Sequence, residues 1–186
     1  MKYDAFISYR HGGVDQFVAE TLHKKLEAFK LPKRLLEKGN GKTRITRVFR
    51  DQDELPLSSN LEDSIKDALR ESEWLIVICT PRLKDSIWCL KEIETFTEMH
   101  GQDHILAVLV EGEPDESFPQ SLRSHKVTKL DAVTGNTIEF DEKIEPLAAD
   151  IRASSNSKIK KVMEVEKSKR IAEWNAASPF TGELSI

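Results

Sequence analysis

The sequence predicts an α/β fold: a flavodoxin-like, doubly wound, five-stranded parallel sheet with helices on both faces. Three features carry this reading. Short, nearly continuous apolar runs rich in β-branched residues recur along the chain, as strands buried on both faces do. Segments with apolar residues at helical spacing alternate with them. Such alternation needs right-handed crossovers, which lay successive strands parallel.

Asp4 to Ser8 is the first strand, an apolar run closed by polar residues. After the turn His11-Gly12-Gly13, the positions Phe17, Val18, Leu22, Leu26 and Phe29 mark a helix that ends before Pro32. The basic, Gly-containing stretch Lys33 to Arg44 is a loop, and Ile45 to Phe49 is the second strand. Asp51 to Asn60 is a polar loop with one proline; Leu61, Ile65, Ala68 and Leu69 then give a helix ending near Ser72. Trp74 to Cys79, an unusually apolar run, is expected in the middle of the sheet. Pro81 breaks the chain before a helix from about Ser86 to Met99, capped by Asp85 or Ser86. Beyond Gly101, Ile105 to Val110 is the fourth strand. A Pro- and acid-rich loop, Glu111 to Pro119, precedes a weak final strand at Val127 to Leu130, and Ile144 to Ile151 reads as a closing helix. The reading is one domain over 1–150 and a C-terminal tail over 151–186 with room for one helix.

At 186 residues the chain suits one core rather than two full domains. With 39% hydrophobic and 32% charged residues it has a globular composition, and its net charge of -4 offers no concentrated basic surface for nucleic acid. Cys79 and Cys89 have neither a disulfide framework nor metal-ligand spacing, which fits a reducing compartment. The first residues lack the apolar stretch of a signal peptide and no run reaches membrane-spanning length, so a cytoplasmic protein without a membrane partner is expected. There is no Gly-x-Gly-x-x-Gly, no complete Gly-x-x-x-x-Gly-Lys-Ser/Thr loop and no Gly-x-Ser-x-Gly elbow. His100 and His104 are split by Gly101 at a helix end, so no metal is expected.

Ligands of doubly wound sheets lie beyond the carboxyl ends of the strands, which directs attention to Tyr9-Arg10, Arg50-Asp51 and the segment after Cys79. Trp88 and Glu92, four apart, share one helix face and border that crevice. An aromatic plane beside a carboxylate suits a flat ligand that develops positive charge. A packed tryptophan next to a solvated glutamate has the same spacing, so spacing alone leaves both open. Arg10 suits a phosphate or a structural carboxylate such as Asp51. Leu55 and Leu57 form an apolar loop tip that either meets a partner or folds back onto the domain. Cys89 reads better as a small buried residue than as a nucleophile, because no histidine is placed to activate it.

Tyr3-Asp4-Ala5-Phe6-Ile7-Ser8-Tyr9-Arg10 closely resembles the first box of Toll/interleukin-1 receptor (TIR) domains. Val48-Phe49-Arg50-Asp51 and the following Pro-containing loop resemble the second box and its BB loop, with Pro56-Leu57 where Pro-Gly is usual. Ser86-Ile87-Trp88-Cys89-Leu90-Lys91-Glu92 resembles the Ser-x-x-Cys-x-x-Glu signature of NAD+-cleaving TIR domains of bacterial type. The resemblance runs to about residue 150. It implies an NAD+ glycohydrolase with Glu92 catalytic, Trp88 stacking on the substrate, and Tyr9 and Arg10 on its sugar-phosphate portion. Phe49, Arg50, Asp51, Leu57, Ser86 and Cys89 would lie in the BB loop or at the rim. It further implies no cofactor besides NAD+ as substrate, homotypic TIR–TIR self-association, a sensor or effector partner, and a role in immune defence or virulence. The alternatives are a cyclase or transferase making a cyclic or conjugated ADP-ribose, and a non-catalytic TIR scaffold. A response-regulator-like domain would share the fold, but the acidic pocket and lysine expected of one are missing.

Overall fold

The computed structural model describes residues 1–30, 44–50, 61–131, 134 and 136–152. In chain order these form β1 (Tyr3–Ser8), α1 (Gly13–Ala28), β2 (Val48–Arg50), α2 (Leu61–Arg70) and β3 (Ser72–Cys79). Next come α3 (Ile87–His100), β4 (Ile105–Leu109), two single-turn helices α4 (Pro114–Ser117) and α5 (Gln120–Arg123), β5 (Ser124–Leu130), β6 (Thr137–Lys143) and β7 (Leu147–Asp150). The Asp51 to Asn60 loop, most of the Lys33 to Arg44 loop and the tail beyond Arg152 lie outside the described residues.

The expected five-stranded parallel sheet is present, in the order β2-β1-β3-β4-β7. Its central strands are buried on both faces because successive side chains alternate across the pleat. Phe6, Leu75, Val77 and Leu109 pack with Ile65 and Leu69 of α2 and with Ile93 and Phe96 of α3. Ala5, Ile7, Ile76, Ile78 and Val108 pack on the other face, against Val14, Val18 and Ala19 of α1. Burying each of the larger side chains contributes about 1.5–3 kcal/mol, so these two clusters hold the sheet and its flanking helices in place.

Three elements depart from the sequence reading. The second strand begins at Val48, not Ile45, because Asp4 Oδ2 accepts from the Thr46 and Arg47 amides at 2.7 and 3.2 Å. Side-chain bonding there replaces ladder pairing. The segment around Val127 to Leu130 does not complete the sheet: β5 pairs antiparallel with β6 in a separate two-stranded ribbon. The fifth position belongs to β7, in the middle of the expected closing helix over Ile144 to Ile151. Pro146 disfavours helical backbone at Glu145 and has no amide to donate, while Leu147 to Asp150 find ladder partners in Leu106 to Leu109.

Candidate active site

The carboxyl ends of β1 and β3 and the start of α3 define the site. Gly12 and Gly13 follow β1 with φ of 94° and 59°, a left-handed turn that glycine enters without penalty and that leads directly into α1, with Gly12 as its N-cap and Gly13 as its first residue. Tyr9, Arg10 and His11 are thereby left at the sheet edge. On the neighbouring strand's side, a 3-10 turn at Leu83–Asp85 brings the chain to Ser86, the N-cap of α3. Its side chain accepts from the Cys89 amide at 3.4 Å and its hydroxyl donates to Cys89 Sγ at 3.2 Å.

Between these ends lies a cleft of about 500 Å³, lined by Tyr9, Arg10, Asp85, Ser86, Trp88 and Glu92 among others. That volume lies within the range of small-molecule sites. Glu92 is 6% exposed and accepts from the Ser8 hydroxyl, Oγ to Oε2, at 2.6 Å. A solvated helix glutamate is therefore excluded. Trp88 is 56% exposed, with Lys91 Nζ 5.6 Å from its ring centroid. It belongs to the cleft mouth and not to the core. One carboxylate in a low-dielectric floor and one aromatic ring at the entrance form the pair that the four-residue spacing left open.

The other candidates separate. Tyr9 and Arg10 line the cleft. Tyr9 is almost fully buried and its hydroxyl accepts from Arg50 Nη1 at 3.3 Å, so it forms part of the wall. Arg50 is itself buried, with Nη1 3.6 Å from Glu20 Oε1, and is not among the cleft residues. Phe49 stacks on Phe6 with ring centroids 5.0 Å apart, in the core. Asp51 and Leu57 lie outside the described residues. Ser86 and Cys89 both line the cleft, and Cys89, 2% exposed, also packs into the core beneath it. Burial pushes the Cys79 thiol well above its usual range, which keeps it protonated. Among the described residues no group of histidine, cysteine and carboxylate side chains could hold a metal ion.

Sequence reasoning did not single out Ser8, His11, Leu61 or Ile65. The last three line the cleft from the β1 turn and α2, and Ser8 bonds to Glu92 across 84 positions of sequence. His11 could have been found as the next residue after Arg10 at a strand end. Nothing local marks Ser8, whose significance depends on β1 lying beneath α3.

A family model described as TIR domain matches residues 5–147, from β1 to the start of β7. The chain belongs to the TIR domain family. This TIR domain is 37% identical over 113 residues to a protein of Actinoplanes sp. named NAD(+) hydrolase ApTIR, an alignment covering 61% of this chain and 15% of that protein. The chain thus spans a small part of that relative's length. Among solved structures, the TIR domains of the activated Roq1 resistosome directly recognizing the pathogen effector XopQ are 23% identical. They align with a TM-score of 0.45 over 61% of this chain and 60% of that one. No described helix of this TIR domain is long and apolar enough to cross a membrane.

Proposed function

We propose that this TIR domain is an NAD+ glycohydrolase that releases nicotinamide and ADP-ribose. The observation that carries the reading is the Glu92 carboxylate, buried in the floor of a cleft whose mouth presents Trp88. Family membership and the similarity to a protein named NAD(+) hydrolase support it.

In the reaction the bond between ribose C1′ and the nicotinamide nitrogen breaks, and its electron pair leaves with nicotinamide, which departs neutral. The positive charge passes to the ribose as an oxocarbenium-like state, water adds to C1′, and one proton is lost to solvent. Nicotinamide is already a good leaving group, so orientation and electrostatics supply most of the catalysis. Glu92 provides a fixed negative charge beside the developing cation, in surroundings where charge is weakly screened. Trp88 offers a face for the nicotinamide ring and Arg10 a cation for the sugar-phosphate portion. Ile87 and Trp88 are 75% and 56% exposed beside the cleft, and we read this rim as the place where a second copy completes the site. Activity is then expected to rise on clustering.

The test uses protein concentrated or clustered on a scaffold, incubated with NAD+ and analysed by chromatography. Clustered wild type should release nicotinamide, and Glu92→Gln should lower the rate at least about a hundredfold with its thermal midpoint near that of wild type. The ratio of linear to cyclic ADP-ribose reads out how the cation is captured. Absence of nicotinamide under every clustering condition, or full activity in Glu92→Gln, would reject the enzymatic reading in favour of a TIR scaffold.

A further inference from the structure

We propose that Ser8 is the positioning residue of this site, holding the Glu92 carboxylate from beneath through the hydrogen bond it donates. The inference rests on the glycohydrolase reading and extends it to a residue that never touches substrate.

Ser8 is the last residue of β1, 1% exposed, and its register against Val77 of β3 fixes its backbone in the middle of the sheet. A hydroxyl has one proton to give, and here it goes to Glu92 Oε2 at 2.6 Å, within the range of charge-assisted bonds. Most strand residues on this face, such as Phe6, Leu75 and Val77, are apolar and pack under α2 and α3. A polar residue among them is costly unless bonded, and the Ser8 hydroxyl meets that requirement through Glu92.

Two consequences follow. A glutamate has three side-chain torsions, and a carboxylate anchored from the sheet keeps one rotamer and needs little reorganisation when positive charge develops on a ribose. A hydrogen bond donated to a carboxylate also favours its ionised form, the form needed to stabilise a cation, and offsets the burial that disfavours it. Ser8 would then act on the rate through the placement and charge state of Glu92, with little effect on substrate binding.

The test compares wild type, Ser8→Ala and Ser8→Thr as clustered protein. Ser8→Ala should lower kcat about tenfold or more with KM nearly unchanged, and should move the acidic limb of the kcat/KM profile to higher pH. Ser8→Thr keeps the donor and should recover most of the rate. A second measurement needs no activity: carbon-13 NMR titration of the Glu92 carboxyl, its resonance identified by its loss in Glu92→Gln. The midpoint in Ser8→Ala should rise by roughly half a pH unit or more relative to wild type. If it does not move, Ser8 does not hold the carboxylate and the inference fails. If it moves while clustered wild type releases no nicotinamide, the hydrogen bond stands and the glycohydrolase reading fails. A Ser8→Ala enzyme with a wild-type rate and profile would overturn the positioning role outright.

Discussion

At the scale of single residues, burial divides the Ser-x-x-Cys-x-x-Glu segment into unlike parts. Cys89 and Glu92 are 2% and 6% exposed, whereas Trp88 is more than half exposed although it stands between Ser86 and Cys89 in sequence. A tryptophan left this open loses apolar burial that a core position would supply, which directs attention to a ligand. Trp88→Ala should therefore act on binding and not on folding. Its thermal midpoint should stay close to wild type, since exposed substitutions usually change stability by less than about 0.5 kcal/mol. KM for NAD+ should rise about tenfold, the loss expected when one aromatic stacking partner is removed, and Trp88→Phe should restore most of the affinity. Steady-state kinetics on clustered protein with a parallel thermal melt checks both; an unchanged KM would remove Trp88 from the binding surface.

At the scale of elements, α3 sets the direction of the site, and its first turn is the part most exposed to substitution. Ser86 caps it with φ of -92° and ψ of 98°, accepting from the Cys89 amide. The 3.4 Å length puts this cap at the weaker end, so Ser86→Ala should cost about 0.5–1 kcal/mol, measured as a lower urea midpoint with an unchanged m-value. Because Trp88 and Glu92 sit within two turns of that cap, activity should fall by more than the stability change alone accounts for. The cap was legible to within one residue, Asp85 or Ser86, and the shared helix face of Trp88 and Glu92 was legible from their four-residue offset, whereas the burial of Glu92 that separates a site from a solvated helix face was not. The strands β1, β3 and β4 were legible for a similar local reason, an apolar run with no polar face. The edge was not. Leu147 to Asp150 is a short segment with two alanines, good helix formers, and becomes a strand only because β4 has an open side. Likewise, the Ser8–Glu92 bond depends on which helix covers which strand, information that neither segment contains.

At the scale of the whole molecule, a buried polar network joins the N-terminus of α1 to the segments that follow β3 and β4. Asp15 is fully buried, accepting from Thr80 Oγ1 at 2.8 Å and from Arg82 Nη2 at 3.1 Å, and Arg82 Nη2 lies 3.7 Å from Glu111 Oε2. The same sheet edge carries Arg10 and the approach to Ser86, so the network fixes the ground on which the cleft stands. Two opposed effects act on the Asp15 carboxyl: desolvation raises its pKa, and the Thr80 hydrogen bond with the Arg82 and Arg10 charges lowers it. Desolvation is the larger and the net direction is upward. A carboxyl whose pKa is higher in the folded chain holds its proton more tightly there, so its contribution to stability is fully present below the unfolded value of about 3.9 and is lost as pH rises through the folded value. Asp15→Asn removes this titration while keeping a group that can accept from Thr80. The stability of wild type relative to Asp15→Asn should therefore decline as pH rises from about 4 towards neutrality, measured by urea unfolding across that range. An advantage of wild type that grows with pH would mean that the attraction of Arg82 outweighs the cost of burial, and that the network stabilises the ionised carboxylate after all.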